Sequence, residues 1–256
     1  MTIRYEINPP RVISDGVLSH KEVKGLLGKV EKRIISASKY CGGIHLTDSV
    51  LGVPRISPIT TGAIIRNDGL KLDITASLRV RDRNITALTQ SVYDAILLGL
   101  DGLLILKGDE PPKGPKDSKL IPSGVVKHFT ELGFDKNLDF FLSLPAEPDY
   151  DQIQKKIESE PKGFITNVIQ SPEQVHHIVD KLKPQGFKII PCVMIPSHNN
   201  AKSAQMVGID FVKYEDMIQD FITEIHKSAG DILITSPNDF KSALKVLSKI
   251  KGIKRK

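Results

Sequence analysis

The sequence predicts a parallel (β/α)8 barrel forming a single domain over 1–256, and three observations carry that expectation. Eight short apolar runs rich in β-branched residues recur along the chain. Stretches whose apolar residues recur at three and four lie between most of them, as amphipathic helices require. The runs are also apolar without alternation, as in LLIL at 103–106 and IIPCVMI at 189–195. That is the pattern of strands buried on both faces, between a filled barrel and an outer ring of helices. A length of 256 residues suits one such barrel and buries a large core without disulfides or metal.

Bounded by Gly, Pro, Asp or Asn, the strands fall at about 3–8, 43–49, 72–80, 102–108, 139–145, 163–169, 188–195 and 231–236. After the first comes HKEVKGLLGKVEKRIIS, an amphipathic helix. Between the second and third, LGVPRISPITTGAIIRNDG reads mostly as loop, with at most a short helix at 61–66. ITALTQSVYDAILLG and SGVVKHFTELG supply the next two helices, the latter headed by Ser123. DYDQIQKKIES follows the fifth strand, and PEQVHHIVDKLK, with Ser171 before Pro172 and Glu173, follows the sixth. EDMIQDFITEIHKSA and NDFKSALKVLSKIKG, the latter headed by Asn238, complete the alternation. An open doubly wound sheet is the competing architecture, but no Gly-x-Gly-x-x-Gly turn follows the first strand and no Walker sequence occurs.

Composition narrows the function classes. Cys41 and Cys192 are the only cysteines, lie far apart and have no His or Cys at ligand spacing, so they read as two buried thiols rather than a disulfide or zinc site. His45 and His198 stand alone, and His176 and His177 point about 100° apart on a helix. The net charge of +6 and pI near 9.1 favour anionic partners where the excess is concentrated. The terminal cluster Lys245, Lys249, Lys251, Lys254, Arg255 and Lys256 reads as a solvated helix end. With no Trp and no aromatics interleaved among these charges, no nucleic-acid partner is expected. No membrane partner is expected either: no run is long enough to cross a bilayer and no basic cluster precedes an apolar stretch, so the expected location is the cytoplasm.

In a parallel barrel the carboxyl ends of the strands converge on one mouth, so acids about a hundred positions apart can act on one substrate. Two acids hold such positions. Glu6 ends RYEINPP, where the chain leaves the sheet at once. It reads either as a general acid with a raised pKa in a partly dry mouth, or as a structural acid paired with Arg4 or Arg11. Asp109 ends LLILKGDEPP, where Gly108 permits close approach of a ligand and Pro111 and Pro112 stiffen the exit. It reads equally as a turn with an Asx cap. Thr47, Asp48, Ser77, Arg79, Ser143, Asn167, Gln170 and Ser236 also stand at strand ends; a side-chain amide such as Asn167 suits a heterocycle that both donates and accepts.

YEINPPR resembles the FEFFPPR opening of methylenetetrahydrofolate reductases, and LILKGDEPP resembles the LRGDPP segment at their fourth strand. FITNVIQSPEQV and KIIPCVMIPSHNNAKSA resemble two further strand segments of that family, so the likeness spans nearly the whole chain. It implies a flavoprotein oxidoreductase of one-carbon metabolism and methionine biosynthesis. Such an enzyme uses FAD to reduce 5,10-methylenetetrahydrofolate, or a related tetrahydropterin, to the 5-methyl form, with an electron donor such as NAD(P)H. By the same resemblance Glu6 is the general acid that opens the ring, and Asp109 is the catalytic acid that lies beside flavin and pterin, where its charge stabilises the N5 cation and it also contacts substrate. Thr47, Ser77, Lys107, Asp149 and Lys156 fall on cofactor-binding positions, with Ser77 where the family has His and Lys107 where it has Arg. Asn167 falls on the substrate-binding glutamine, and Leu144 on a flavin-contacting tyrosine. Two alternatives stand beside this reading: a pterin-binding methyltransferase barrel without flavin, and a noncatalytic relative. A homo-oligomer or a partner subunit is compatible with either.

Overall fold

Eight parallel strands close into a barrel in strict chain order: β1 (Thr2–Ile7), β2 (Gly43–Leu46), β3 (Asp73–Arg79), β4 (Gly102–Leu106), β5 (Asp139–Leu144), β6 (Gly163–Val168), β7 (Lys188–Met194) and β8 (Asp231–Thr235). In this computed structural model residues 2–12, 17–114 and 116–250 are described. β8 pairs with β1, setting Arg4 opposite Leu233, and β1 pairs with β2, setting Glu6 opposite His45. Every expected strand is present, each within three residues of its predicted ends.

Helices α1 (His20–Ala37), α2 (Pro58–Asn67), α3 (Ile85–Leu97), α4 (Pro122–Glu131), α5 (Gln154–Ile157), α6 (Pro172–Leu182), α7 (Ala201–Met206), α8 (Ile218–Ala229) and α9 (Phe240–Leu247) fill the crossovers. α1 starts at a capping box, in which Ser19 N–H donates to Glu22 Oε2 at 2.7 Å. α6 starts the same way, with Gln174 Oε1 accepting from Ser171 N–H. Elsewhere the sequence signals were misplaced. The segment expected to be mostly loop, with at most a short helix at 61–66, holds the ten-residue α2, because Pro58 begins a helix behind the Ser57 cap instead of breaking one. α4 begins at Pro122, leaving Ser123 buried inside its first turn. Asp239, not Asn238, caps α9 by accepting from Ser242 N–H. The helix expected over 149–159 shrinks to α5, because Asp149 Oδ1 accepts from Asp151 and Gln152 N–H and holds the start in a turn. Lys251, Lys254, Arg255 and Lys256 of the terminal cluster lie outside the described residues.

The barrel filling divides by chemistry. Leu104, Phe141, Ile165, Ile190, Cys192 and Leu233 form an apolar cluster inside the β4–β8 side. The β1–β3 side carries Arg4, Glu6, His45, Thr75, Ser77 and Arg79, whose partners are within the protein: His45 Nδ1 lies 2.9 Å from Thr75 Oγ1 and Nε2 2.9 Å from Ser77 Oγ. Burial, helped by the charge of Arg4, holds the His45 imidazole neutral with a pKa of about 3. The amino-terminal end is closed by Arg4, which reaches Asp231 at 2.8 Å and Asp73 at 3.2 Å, while Lys188 reaches Asp231 at 2.7 Å. Where β6 meets β7 there is no room for a side chain: a Cβ on Gly163 would stand 2.0 Å from the Lys188 carbonyl oxygen. Cys41 and Cys192 are buried on different elements and form no disulfide. Among the described residues no helix is long and apolar enough to cross a membrane.

Candidate functional site

The carboxyl ends of the strands open into a cavity of about 1000 Å³, large enough for a drug-sized heterocycle with a tail. Glu6, Thr47, Thr235, Asn167, Cys192 and Met194 contribute to its lining. Residues of β1 alternate, so the inward parity that places Arg4 at the closed end delivers Glu6 to the mouth. Arg4 is therefore committed to Asp231 and Asp73, and the expected pairing of Glu6 with Arg4 does not occur. Nor, among the described residues, does Arg11 pair with it. Glu6 is instead held by one neutral donor, Thr235 Oγ1, at 2.6 Å from Oε1. Burial pushes its carboxyl above the ordinary range, and the Thr235 bond offsets part of that. The neighbouring Cys192 thiol is driven well up by burial and by the Glu6 charge, which leaves it protonated and inert.

Two irregularities shape the mouth. The β6–β7 register shifts between Ile165 and Val168, where Thr166 Oγ1 takes the Cys192 N–H at 3.0 Å in place of a ladder carbonyl. This bulge sets Asn167 on the cavity wall. Across the mouth, Thr47 Oγ1 donates to Asn8 Oδ1 at 2.5 Å, joining the exits of β1 and β2.

Asp109 stands on the same mouth but behind its wall. It is exposed, and its Oδ2 accepts from Leu51 N–H at 2.6 Å while the Leu51 side of that loop lines the cavity. The bond crosses to the β2 exit, so it is not the local Asx cap that the sequence allowed. The two loops touch so closely that a Cβ on Gly52, at φ +68°, would sit 2.1 Å from Glu110 O. Arg79 clamps the same region: its guanidinium, 1% exposed with its side chain, donates to Ser49 O, Asp109 O and Asp82 Oδ1.

Of the five flavin positions only Thr47 lines this cavity. Ser77 is buried in the barrel against His45. Lys107 pairs with Asp117 at 3.2 Å. Asp149 is spent on its own turn, and Lys156 Nζ donates to Ser143 O at 2.5 Å, its half-buried amine lowered in pKa by desolvation. Leu144 is wholly buried in the core. These residues do not form one lining, so as a set they fit FAD poorly. Among the described residues no group of His, Cys, Asp and Glu is placed to hold a metal ion.

Sequence reading missed Thr235, although the alternation of β8 through Asp231 and Leu233 points it inward. It also missed a basic wall: Arg11, Lys29, Arg33 and Arg55 line the cavity. A signal for two of them was present, a Pro-Arg pair in the segment that follows each of the first two strands.

No family model matches the chain, and no curated protein matches it. Among solved structures, a chain from the tryptophan synthase α2β2 complex of the hyperthermophile Pyrococcus furiosus superposes with a TM-score of 0.55 at 9% identity, over 98% of this chain and 94% of that one. The chain is a TIM barrel. At that identity the likeness carries the fold and nothing about the chemistry.

Proposed function

We propose that this chain is an enzyme that binds a tetrahydropterin bridged by a methylene group between N5 and N10, and that Glu6 opens the bridge as a general acid on the way to the 5-methyl product. One observation carries the reading: a carboxyl group whose pKa burial raises above the ordinary range stands in a cavity of about 1000 Å³, steadied by a single hydroxyl 2.6 Å away. Its proton goes to N10, the bond from N10 to the bridge carbon breaks with its electron pair remaining on N10, and a cationic iminium is left at N5. Asn167, on the same lining, offers one donor group and one acceptor to the amide-and-amine edge of a pterin. Asp109, bonded to the Leu51 backbone, adds negative potential to the rim where that cation forms.

Reduction of the iminium needs a hydride. FAD, recharged by NAD(P)H, supplies it in the reductases that the sequence resembles, and the roles of Glu6, Asn167 and Asp109 in binding and bridge opening do not depend on it. The engagement of Ser77, Lys107, Asp149 and Lys156 with protein partners favours a second reading, a pterin-binding methyltransferase barrel without flavin. An absorbance spectrum of the purified protein with added FAD separates the two. Bleaching by reductant and recovery on adding methylenetetrahydrofolate is the expected result for the reductase, and a protein that takes up no flavin supports the alternative. Glu6→Gln should keep bound pterin and lose bridge opening by about a hundredfold or more; undiminished opening by that variant would refute the acid role.

A further inference from the structure

The cavity wall beside the proposed acid carries more positive charge than the fold uses. Four cations, Arg11, Lys29, Arg33 and Arg55, share the lining with two acidic residues, Glu6 and Glu147. Glu147 already accepts from Gln174 Nε2 at 2.8 Å, and Glu6 from Thr235. Among the described residues none of the four cations lies in an ion pair.

Two of them are held together against their charge. Arg11 and Arg55 are opposed across an isolated antiparallel bridge. The flanking bonds run from Val12 N–H to Pro54 O and from Ile56 N–H to Pro10 O, which makes Arg11 and Arg55 a non-hydrogen-bonded pair. In such a pair the side chains leave the same face from Cα atoms about 4.5 Å apart, and like charges so placed repel. Burial and then the Arg11 charge both lower the Arg55 pKa. Arg55 gives one nitrogen to Pro9 O at 2.7 Å, while its buried Nε has no partner. A buried donor without a partner is destabilising, and the like charge of Arg11 opposite adds to that cost. An anion with several oxygens on one centre removes both penalties together.

We propose that this wall binds a phosphoryl group, so that the preferred ligand of the cavity carries a phosphorylated tail where a folate carries carboxylates, with Arg11 and Arg55 as the two guanidinium forks and Lys29 and Arg33 as the surrounding charge. A phosphoryl group presents three acceptor oxygens and up to two negative charges at a single centre, which two adjacent forks can share. A dicarboxylate such as glutarate carries its two charges on separate carbons and cannot set three oxygens on one centre between both forks. The site stands whether or not Glu6 serves as an acid.

The test is calorimetric titration of the full chain at low salt with inorganic phosphate, pyrophosphate and glutarate, together with thermal melts. Phosphate or pyrophosphate should bind saturably, glutarate about tenfold more weakly or worse, and added salt should weaken binding. Arg11→Gln and Arg55→Gln should each cost about tenfold or more in affinity, while Lys162→Gln, at the opposite end of the barrel, should cost nothing. Because Arg11→Gln relieves repulsion, its melting temperature without ligand should equal or exceed that of the wild type, which separates lost binding from lost folding. Should Arg55→Gln fail to fold without its Pro9 bond, Arg11→Gln and Arg33→Gln decide the matter. Absence of phosphate and pyrophosphate binding, binding that survives Arg11→Gln, or glutarate binding as tightly as pyrophosphate would each overturn the proposal.

Discussion

Replacing Thr235 by valine tests the environment of Glu6 without touching the acid itself. Valine keeps the β-branched shape that suits β8 and removes only the hydroxyl that donates to Glu6 Oε1 at 2.6 Å. A short hydrogen bond to a carboxylate is worth about 1.5–3 kcal/mol, and one pKa unit corresponds to about 1.4 kcal/mol. The Glu6 pKa, already raised by burial and lowered in part by this bond, should therefore rise further in Thr235→Val, because the charged form alone loses its donor. Stability follows with a definite sign. Because the folded-state pKa of Glu6 lies above its unfolded value, the folded protein binds the proton more tightly, and the associated stability is full below the unfolded pKa and lost as pH rises through the folded one. Thr235→Val should extend that loss to higher pH. A carbon-13 titration of labelled glutamate, with Glu6→Gln used to assign the resonance, reads the pKa directly, and denaturant unfolding across a pH series reads the linkage. A Glu6 resonance titrating at the same pH or lower in Thr235→Val would refute the assignment of Thr235 as the group that holds the charged form.

Further outcomes follow from the same geometry. His45 is neutral in the folded barrel with a pKa of about 3, so below pH about 6.5 the unfolded chain takes up its proton first and stability should fall by up to about 1.4 kcal/mol per pH unit; His45→Asn should flatten that acid limb in a series of denaturant melts. Gly163→Ala would place a methyl 2.0 Å from Lys188 O and should cost about 3 kcal/mol or more by chemical denaturation, since backbone on both sides must move. Asp109→Asn should lower kcat/KM for bridge reduction by less than about tenfold, against about a hundredfold or more for Glu6→Gln, because Asp109 is exposed behind Leu51 while Glu6 lines the cavity; equal losses would move Asp109 into direct contact with the substrate.

The strands were readable because a barrel stave is buried on both sides, so each writes a short unbroken apolar run into the sequence, and the turns beside it carry Gly, Pro and Asp. Helices with a wide apolar stripe, such as α1 and α6, were readable for the same reason. The failures are local competitions. In VPRISPITTG the density of Pro and Gly reads as loop, yet Pro58 occupies the first helical turn, where its missing N–H costs nothing. In DYDQIQKKIES the apolar spacing reads as helix, yet the Asp149 side chain satisfies the first backbone donors in a turn and leaves only one short helical piece. α7 went unseen because HNNAKSAQM carries too little apolar pattern to register.

The site divides along a different line, between what alternation along one strand dictates and what only two distant segments together create. Glu6 was legible because its parity on β1 sends it to the mouth whatever the rest of the chain does. The basic wall was not, because Lys29 and Arg33 are four apart on α1, as any solvated helix face might be, and nothing in their spacing tells that the helix flanks a cavity. Arg11 and Arg55 become a pair only when the exit of β1 lies antiparallel to the exit of β2, a contact made by Pro10, Val12, Pro54 and Ile56 through their backbones. Side-chain identity leaves no periodic trace of such backbone pairing. It does leave a physical one: two arginines opposed across a backbone bridge on the lining of one cavity repel each other, and that repulsion lies where an anionic ligand would relieve it.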